Sequence, residues 1–269
     1  MNKPKSRSNL RLLSGSVYFY VLKYIDWYCS GKKFSRPNDA VNLRHEFFCS
    51  QSLLLKRLKH VEMWMQLNKT KKLNLAIKKL NGVLIKPGET FSFWLLVGKP
   101  TAPKGYLPGM VLYQGGFTSG IGGGLCQLSN LIFWITLHTP LTVTERWRHS
   151  YDVFPDVHRT QPFGSGATCS YPHIDLQIKN NTTSLFQLRL ELSATHLVGR
   201  WLSDEPPNVR YSIEERNHII KHEWWGGYTR HNQLVQMVYH ASTGEKISEN
   251  LITENHAIMM YDPLLKSPS

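Results

Sequence analysis

Acidic side chains are scarce at one end of this chain, and the common catalytic signatures are missing from all of it. Residues 1–80 hold 17 of the 32 Lys and Arg but only 4 of the 19 Asp and Glu. The net charge of +13 therefore sits on that segment, and residues 81–269 are balanced. No run reaches the roughly 18 apolar residues of a membrane-spanning helix. The early apolar stretch Ser16–Leu22 stops at Lys23 and Asp26, so no secretory leader is read and cytoplasmic residence is expected. The four cysteines, Cys29, Cys49, Cys126 and Cys169, form no CxxC pair. Structural disulfides are not expected in a reducing compartment, and Cys169 is only a distant candidate as a redox partner. There is no GxxxxGK[ST] loop and no HExxH, and Gly120–Leu125 breaks GxGxxG at its last position. Neither a metal nor a cofactor is expected.

What is present suits a folded protein: 41% hydrophobic and 12% aromatic residues exclude a disordered chain. Residues 1–80 read as a basic helical region. Leu53, Leu54, Leu58, Val61 and Met65 share one helical face, and Leu73–Leu80 continues it to Asn81-Gly82. From Lys86-Pro87-Gly88 turns are frequent and strands short. Phe91–Trp94, Ile174–Lys179 and Phe186–Leu192 alternate with the period of a strand. One apolar helix interrupts them, from Gly124 through Leu125–Leu137 to Pro140, and its composition places it inside the domain. Residues 207–269 look like more strand, with Gly226-Gly227 as a hairpin turn. The expected class is α+β: a basic helical region over 1–80, a mainly antiparallel domain over 81–206, and a β-rich extension over 207–269.

One constellation carries chemistry. The loop Gly122-Gly123-Gly124 delivers Cys126 into the first turn of the apolar helix. Free N–H groups and the helix dipole there favour negative charge, which lowers a thiol pKa and can hold an oxyanion. Gln127 follows directly, and with the three glycines forms the candidate substrate-binding loop. A thiol nucleophile needs a base. His149 is the candidate, with His138, His158 and His173 as competitors, and Asp152 or Glu145 as the group that orients it. Arg146 and Arg148 are candidates to bind a substrate carboxylate. The plain alternatives are a small core cysteine, structural arginines, and a glycine loop that binds an anion without chemistry.

Four segments together, Gly88–Phe93, Gly122–Gln127, Glu145–Ser150 and Asp175–Thr182, resemble the VanW family over roughly residues 80–205. The resemblance implies a link to glycopeptide (vancomycin) resistance or peptidoglycan metabolism. Some longer family members are taken to be L,D-transpeptidases whose motif cysteine corresponds to Cys126. It thus implies attack by Cys126 on a peptidoglycan stem-peptide carbonyl, with His149 moving the protons. The alternative is a non-catalytic protein that binds peptidoglycan precursors or acts at a membrane surface. For the basic region the readings are an anionic membrane surface, at about 1 kcal/mol per Lys or Arg near it, a lipid-linked precursor pyrophosphate on that surface, and, with equal weight to the membrane, a plain soluble helical face rich in Lys. The membrane reading would put the protein on the inner face of the membrane. Nucleic acid is disfavoured because no binding motif for it is found.

Overall fold

The computed structural model describes residues 8–38, 40–55, 63–113, 116–153 and 161–263. It is an α+β protein built mainly from antiparallel sheets. Four α-helices occur among these residues: α1 (Asn9–Cys29), α2 (Met63–Leu80), α3 (Phe93–Val97) and α4 (Cys126–Thr136).

The central sheet has five antiparallel strands, in the order Arg36–Pro37, Val83–Ile85, Phe186–Leu192, His196–Ser203 and His45–Leu53. Helix α4 lies against it. Trp201 Nε1 donates to Thr136 Oγ1 across the contact (3.0 Å). A side chain at Gly199 would stand 3.1 Å from Leu131, so glycine lets the helix approach closely. The apolar run of α4 is buried as its composition requires: Leu128, Leu131, Ile132, Phe133 and Ile135 all belong to the core. Helix α2 is amphipathic, with Leu73, Ala76, Ile77 and Leu80 buried and Lys78 and Lys79 exposed in its last turn. It ends before Gly82, whose φ of 80° suits glycine.

The helical reading of residues 1–80 is corrected over Arg36–Pro37 and His45–Leu53, which are strands, and at Leu54, which is a bend; the run read as helix from Gln51 is strand as far as Leu53. Leu53, Ser52 and Gln51 pair with His196, Leu197 and Val198. Pairing with a partner some 145 residues away outweighs the local helical spacing. Leu58 and Val61 lie outside the described residues. Met65 sits in α2 as expected.

A three-stranded sheet (Thr90–Ser92, Gln177–Lys179, Thr142–Glu145) meets α4 through Thr142–Glu145, and a hairpin (Pro108–Tyr113 with Gly116–Ile121) packs on α2. The C-terminal part is a long antiparallel meander of Val209–His222, Tyr228–His240 and Lys246–Met259. Gly226-Gly227 lies in its first turn, as the sequence suggests. Tyr151–Asp152 joins its last strand in parallel. No helix among the described residues is long and apolar enough to cross a membrane.

Candidate active site

The glycine loop works through backbone shape. Gly122 and Gly124 have φ of 80° and 94°, which side chains disfavour. Gly123 is pressed against the Pro108–Tyr113 strand, and a Cβ there would stand 2.4 Å from the Gly109 carbonyl oxygen. Beneath the loop lies Lys72, fully buried, whose Nζ donates to the Gly123 carbonyl. Burial pushes its pKa down to about 8. The loop is therefore anchored from below by one ammonium group.

Cys126 is the first residue of α4 and is partly exposed. No backbone acceptor among the described residues takes the amides of Gly124, Leu125 or Cys126. The strand Thr142–Glu145 runs on to Trp147, which pairs with Thr168. That pairing carries His149 and Cys169 to the same thiol. Cys169 Sγ is 3.8 Å from Cys126 Sγ, and the Cys169 carbonyl oxygen is 3.6 Å away. The Cys126 pKa lies well below the usual thiol range. A hydrogen bond from the Cys169 thiol is the largest cause; burial opposes it, and His149 adds a hydrogen bond and its charge. Cys169 moves the opposite way, raised by burial and then by its neighbour. The negative charge of the pair belongs on Cys126.

Of the competing histidines, His138 is a core residue. It stacks on Phe48 at 3.8 Å, and its Nδ1 lies 3.0 Å from the Trp134 carbonyl. His173 packs against Phe19 and Tyr20 of α1, and its Nδ1 is buried with no hydrogen-bond partner among the described residues. His158 lies outside the described residues.

Other candidates are held elsewhere. Arg146 donates to the carbonyls of Gly166 (2.9 Å) and Gly164 and to Thr253 Oγ1 (3.1 Å), and lies over the Phe133 ring. Burial and then Arg148 lower its pKa to about 10. Arg148 donates to the His256 carbonyl and covers Phe163. These two arginines stitch the segment before Cys169 to the C-terminal meander. Ser129 and Asn130 of α4 grip Ala167 from the other side, at 2.6 and 2.7 Å. Glu145 takes Lys23 (2.5 Å) and Trp147 Nε1 (3.0 Å). Asp152 takes Arg230 (3.4 Å) and Tyr261 (3.0 Å). Gln127 Nε2 clamps Ser52 Oγ and the Leu53 carbonyl, both at 2.9 Å. Its Oε1 is buried without a hydrogen-bond partner among the described residues.

Sequence reasoning underrated Cys169 and passed over Lys72 and Lys23. Lys23 is buried and reaches Asp175 (3.1 Å) as well as Glu145. A cavity of about 520 Å³ lined by Phe47, Pro140, Thr183, Phe186 and Tyr211 contains none of the candidate residues.

The family model described as "VanW like protein" matches residues 68–202. The chain is 38% identical to the Vancomycin B-type resistance protein VanW of Enterococcus faecalis, over 77% of this chain and 74% of that protein. It is 32% identical to the uncharacterized protein YoaR of Bacillus subtilis, over 51% of this chain and 44% of that protein. No solved structure matches. On the matched span and this identity, the chain belongs to the VanW family.

Proposed function

We propose that the protein is a cysteine-dependent acyl transferase that acts on the stem peptide of peptidoglycan or its precursors. The observation that carries the reading is the placement of the Cys126 thiol, at the first residue of α4 behind the glycine loop, 3.8 Å from the Cys169 thiol and beside His149. The thiolate attacks a stem-peptide carbonyl carbon, and the oxygen takes up the negative charge. Amides of Gly124, Leu125 and Cys126 are available to receive that charge. His149 passes a proton to the leaving amine as the C–N bond breaks, leaving a thioester on Cys126. An incoming amine or water gives its proton to His149, attacks the thioester and frees the thiolate. Kinship with a protein named for B-type vancomycin resistance supports a place in glycopeptide resistance. The test is intact mass of the full chain incubated with a synthetic stem peptide. An acyl adduct at Cys126 that disappears in Cys126→Ala is expected. Retained peptide binding with no adduct and no transfer would replace this reading with a precursor-binding protein.

A second observation favours a place at the inner face of the membrane. Helix α1 turns Lys23 and Trp27 inward, but Val17 and Tyr28 are 57% and 70% exposed. Leu13, Val17, Val21, Tyr24 and Tyr28 form an exposed apolar stripe at helical spacing. Arg11 lies in the first turn of α1, and Lys3, Lys5 and Arg7 precede the helix in the sequence. An apolar face with basic residues beside it suits an anionic lipid surface. Cosedimentation with phosphatidylglycerol vesicles but not with phosphatidylcholine vesicles is expected; equal recovery with both would count against it.

A further inference from the structure

Two thiols meet at the site, and only one is needed for acyl transfer. Cys169 is 8% exposed and Cys126 is more open, so a small reagent meets Cys126 first. Their sulfurs are 3.8 Å apart. A disulfide needs about 2.05 Å, so closure asks for less than about 2 Å of relative sulfur movement. Cys169 is held in place by its neighbours. Thr168 N donates to the Trp147 carbonyl (2.8 Å), and Ser170 exchanges two backbone hydrogen bonds with Ile174 (2.8 and 3.0 Å). Of the other two cysteines, Cys49 lies on the edge strand of the five-stranded sheet and Cys29 at the exposed end of α1.

We infer that Cys126 and Cys169 are a redox-modification site, in which a hydroperoxide converts the two thiols into a reversible disulfide. The Cys126 thiolate attacks the terminal oxygen of the hydroperoxide. An S–O bond forms and the O–O bond breaks. The sulfur loses two electrons and becomes sulfenic acid; the leaving alkoxide (hydroxide, from hydrogen peroxide) takes a proton from solvent and departs as an alcohol or water. Cys169 then attacks the Cys126 sulfur, forming the S–S bond. The S–O bond breaks, and the hydroxide takes the Cys169 proton to leave as water. A dithiol reductant reverses the state. The disulfide consumes the proposed acyl nucleophile, so it protects Cys126 from irreversible oxidation and switches the site off. Cytosolic disulfides are commonly of this transient kind.

The site stands independently of acyl transfer, because it needs only a reactive Cys126 and a resolving thiol. Its test uses the full chain with Cys29→Ser and Cys49→Ser, which leaves two thiols. Hydrogen peroxide at a few equivalents should reduce the free-thiol count to zero and lower the intact mass by about 2 Da, with dithiothreitol restoring both. A peptide map should join the peptides that hold Cys126 and Cys169. With Cys169→Ser added, the mass should instead rise by about 16 or 32 Da as sulfenic or sulfinic acid accumulates. Two free thiols surviving in the folded parent, or Cys126 advancing to sulfinic acid there, would overturn the inference; neither outcome depends on how Cys169→Ser folds. Disulfide formation without stem-peptide acylation would remove the transferase reading and leave this one standing.

Discussion

Two regions that carry the family resemblance behave differently. The Asp175 carboxylate is fully partnered, although His173 Nδ1 close by in sequence is not. The carboxylate accepts from Ser92 Oγ (2.6 Å), Trp94 N (2.9 Å) and Leu176 N (2.9 Å) and pairs with Lys23 (3.1 Å). Nearby, Asn180 Nδ2 bridges the carbonyls of Ile85 (3.0 Å) and Ser184 (2.7 Å). Around Cys126 several polar groups are unspent: the Gln127 Oε1, and the amides at the start of α4. A sequence signature mixes scaffold with chemistry. Ser35 Oγ, Ser165 Oγ, His173 Nδ1 and Asn255 Oδ1 are also buried without a partner among the described residues, so it is the coincidence with free amides and a thiol that sets the Cys126 region apart.

This contrast is broken or sharpened by variants at four places. The largest effect is expected on activity. Cys126→Ala should lower acyl transfer by at least roughly a thousandfold, about 4 kcal/mol at the transition state, while unfolding is little changed. His149→Ala should cost about a hundredfold to ten-thousandfold and flatten the pH profile. An inactive Cys126→Ala that is also unfolded would put Cys126 in the scaffold instead.

Asp175→Ala should act on stability. It removes one partner of the buried Lys23 and leaves three donors, Ser92 Oγ, Trp94 N and Leu176 N, without their acceptor, and such losses cost about 3–5 kcal/mol. Thermal unfolding of the purified chain measures this. A shift of under about 1 kcal/mol would show that Glu145 alone satisfies Lys23.

The third concerns the support of the glycine loop. With its pKa lowered to about 8, the Lys72 ammonium is disfavoured in the folded state. The unfolded chain holds that proton up to about pH 10.4, so between these values the unfolded state binds more protons. Stability should therefore rise as the pH is raised from about 8 to about 10, by up to about 3 kcal/mol from this group. Lys72→Met should remove that rise and reduce acyl transfer by loosening the loop. An unchanged pH slope in the variant would deny the role of Lys72. The smallest effect belongs to α1. Replacing exposed Val17 and Val21 with Ser should weaken vesicle binding about tenfold and leave the melting temperature unchanged.

Local patterns made much of this legible. The apolar run of α4, the alternation in Phe186–Leu192 and the turn at Gly226-Gly227 each state their structure within a few residues. Gln51–Leu53 was not readable, because its strand depends on His196–Val198 far along the chain. Cys126 could be singled out, since a glycine loop before an apolar helix is a local feature. Its neighbour Cys169, 43 residues on, could not, because their contact depends on the Trp147–Thr168 bridge. Arg146 and Arg148 read as substrate ligands because a sequence does not display the backbone carbonyls that hold them. Lys72 looked like one more basic surface residue in a segment rich in them.

The central claim is that Cys126 is a reachable thiolate near neutral pH. It is tested most directly by the rate of iodoacetamide alkylation of the native chain against pH, with Cys126→Ser to subtract the other three cysteines. A Cys126-dependent midpoint well below about 8.5, the value of a free thiol, is expected. A midpoint at or above that value, or no alkylation until the chain unfolds, would contradict it.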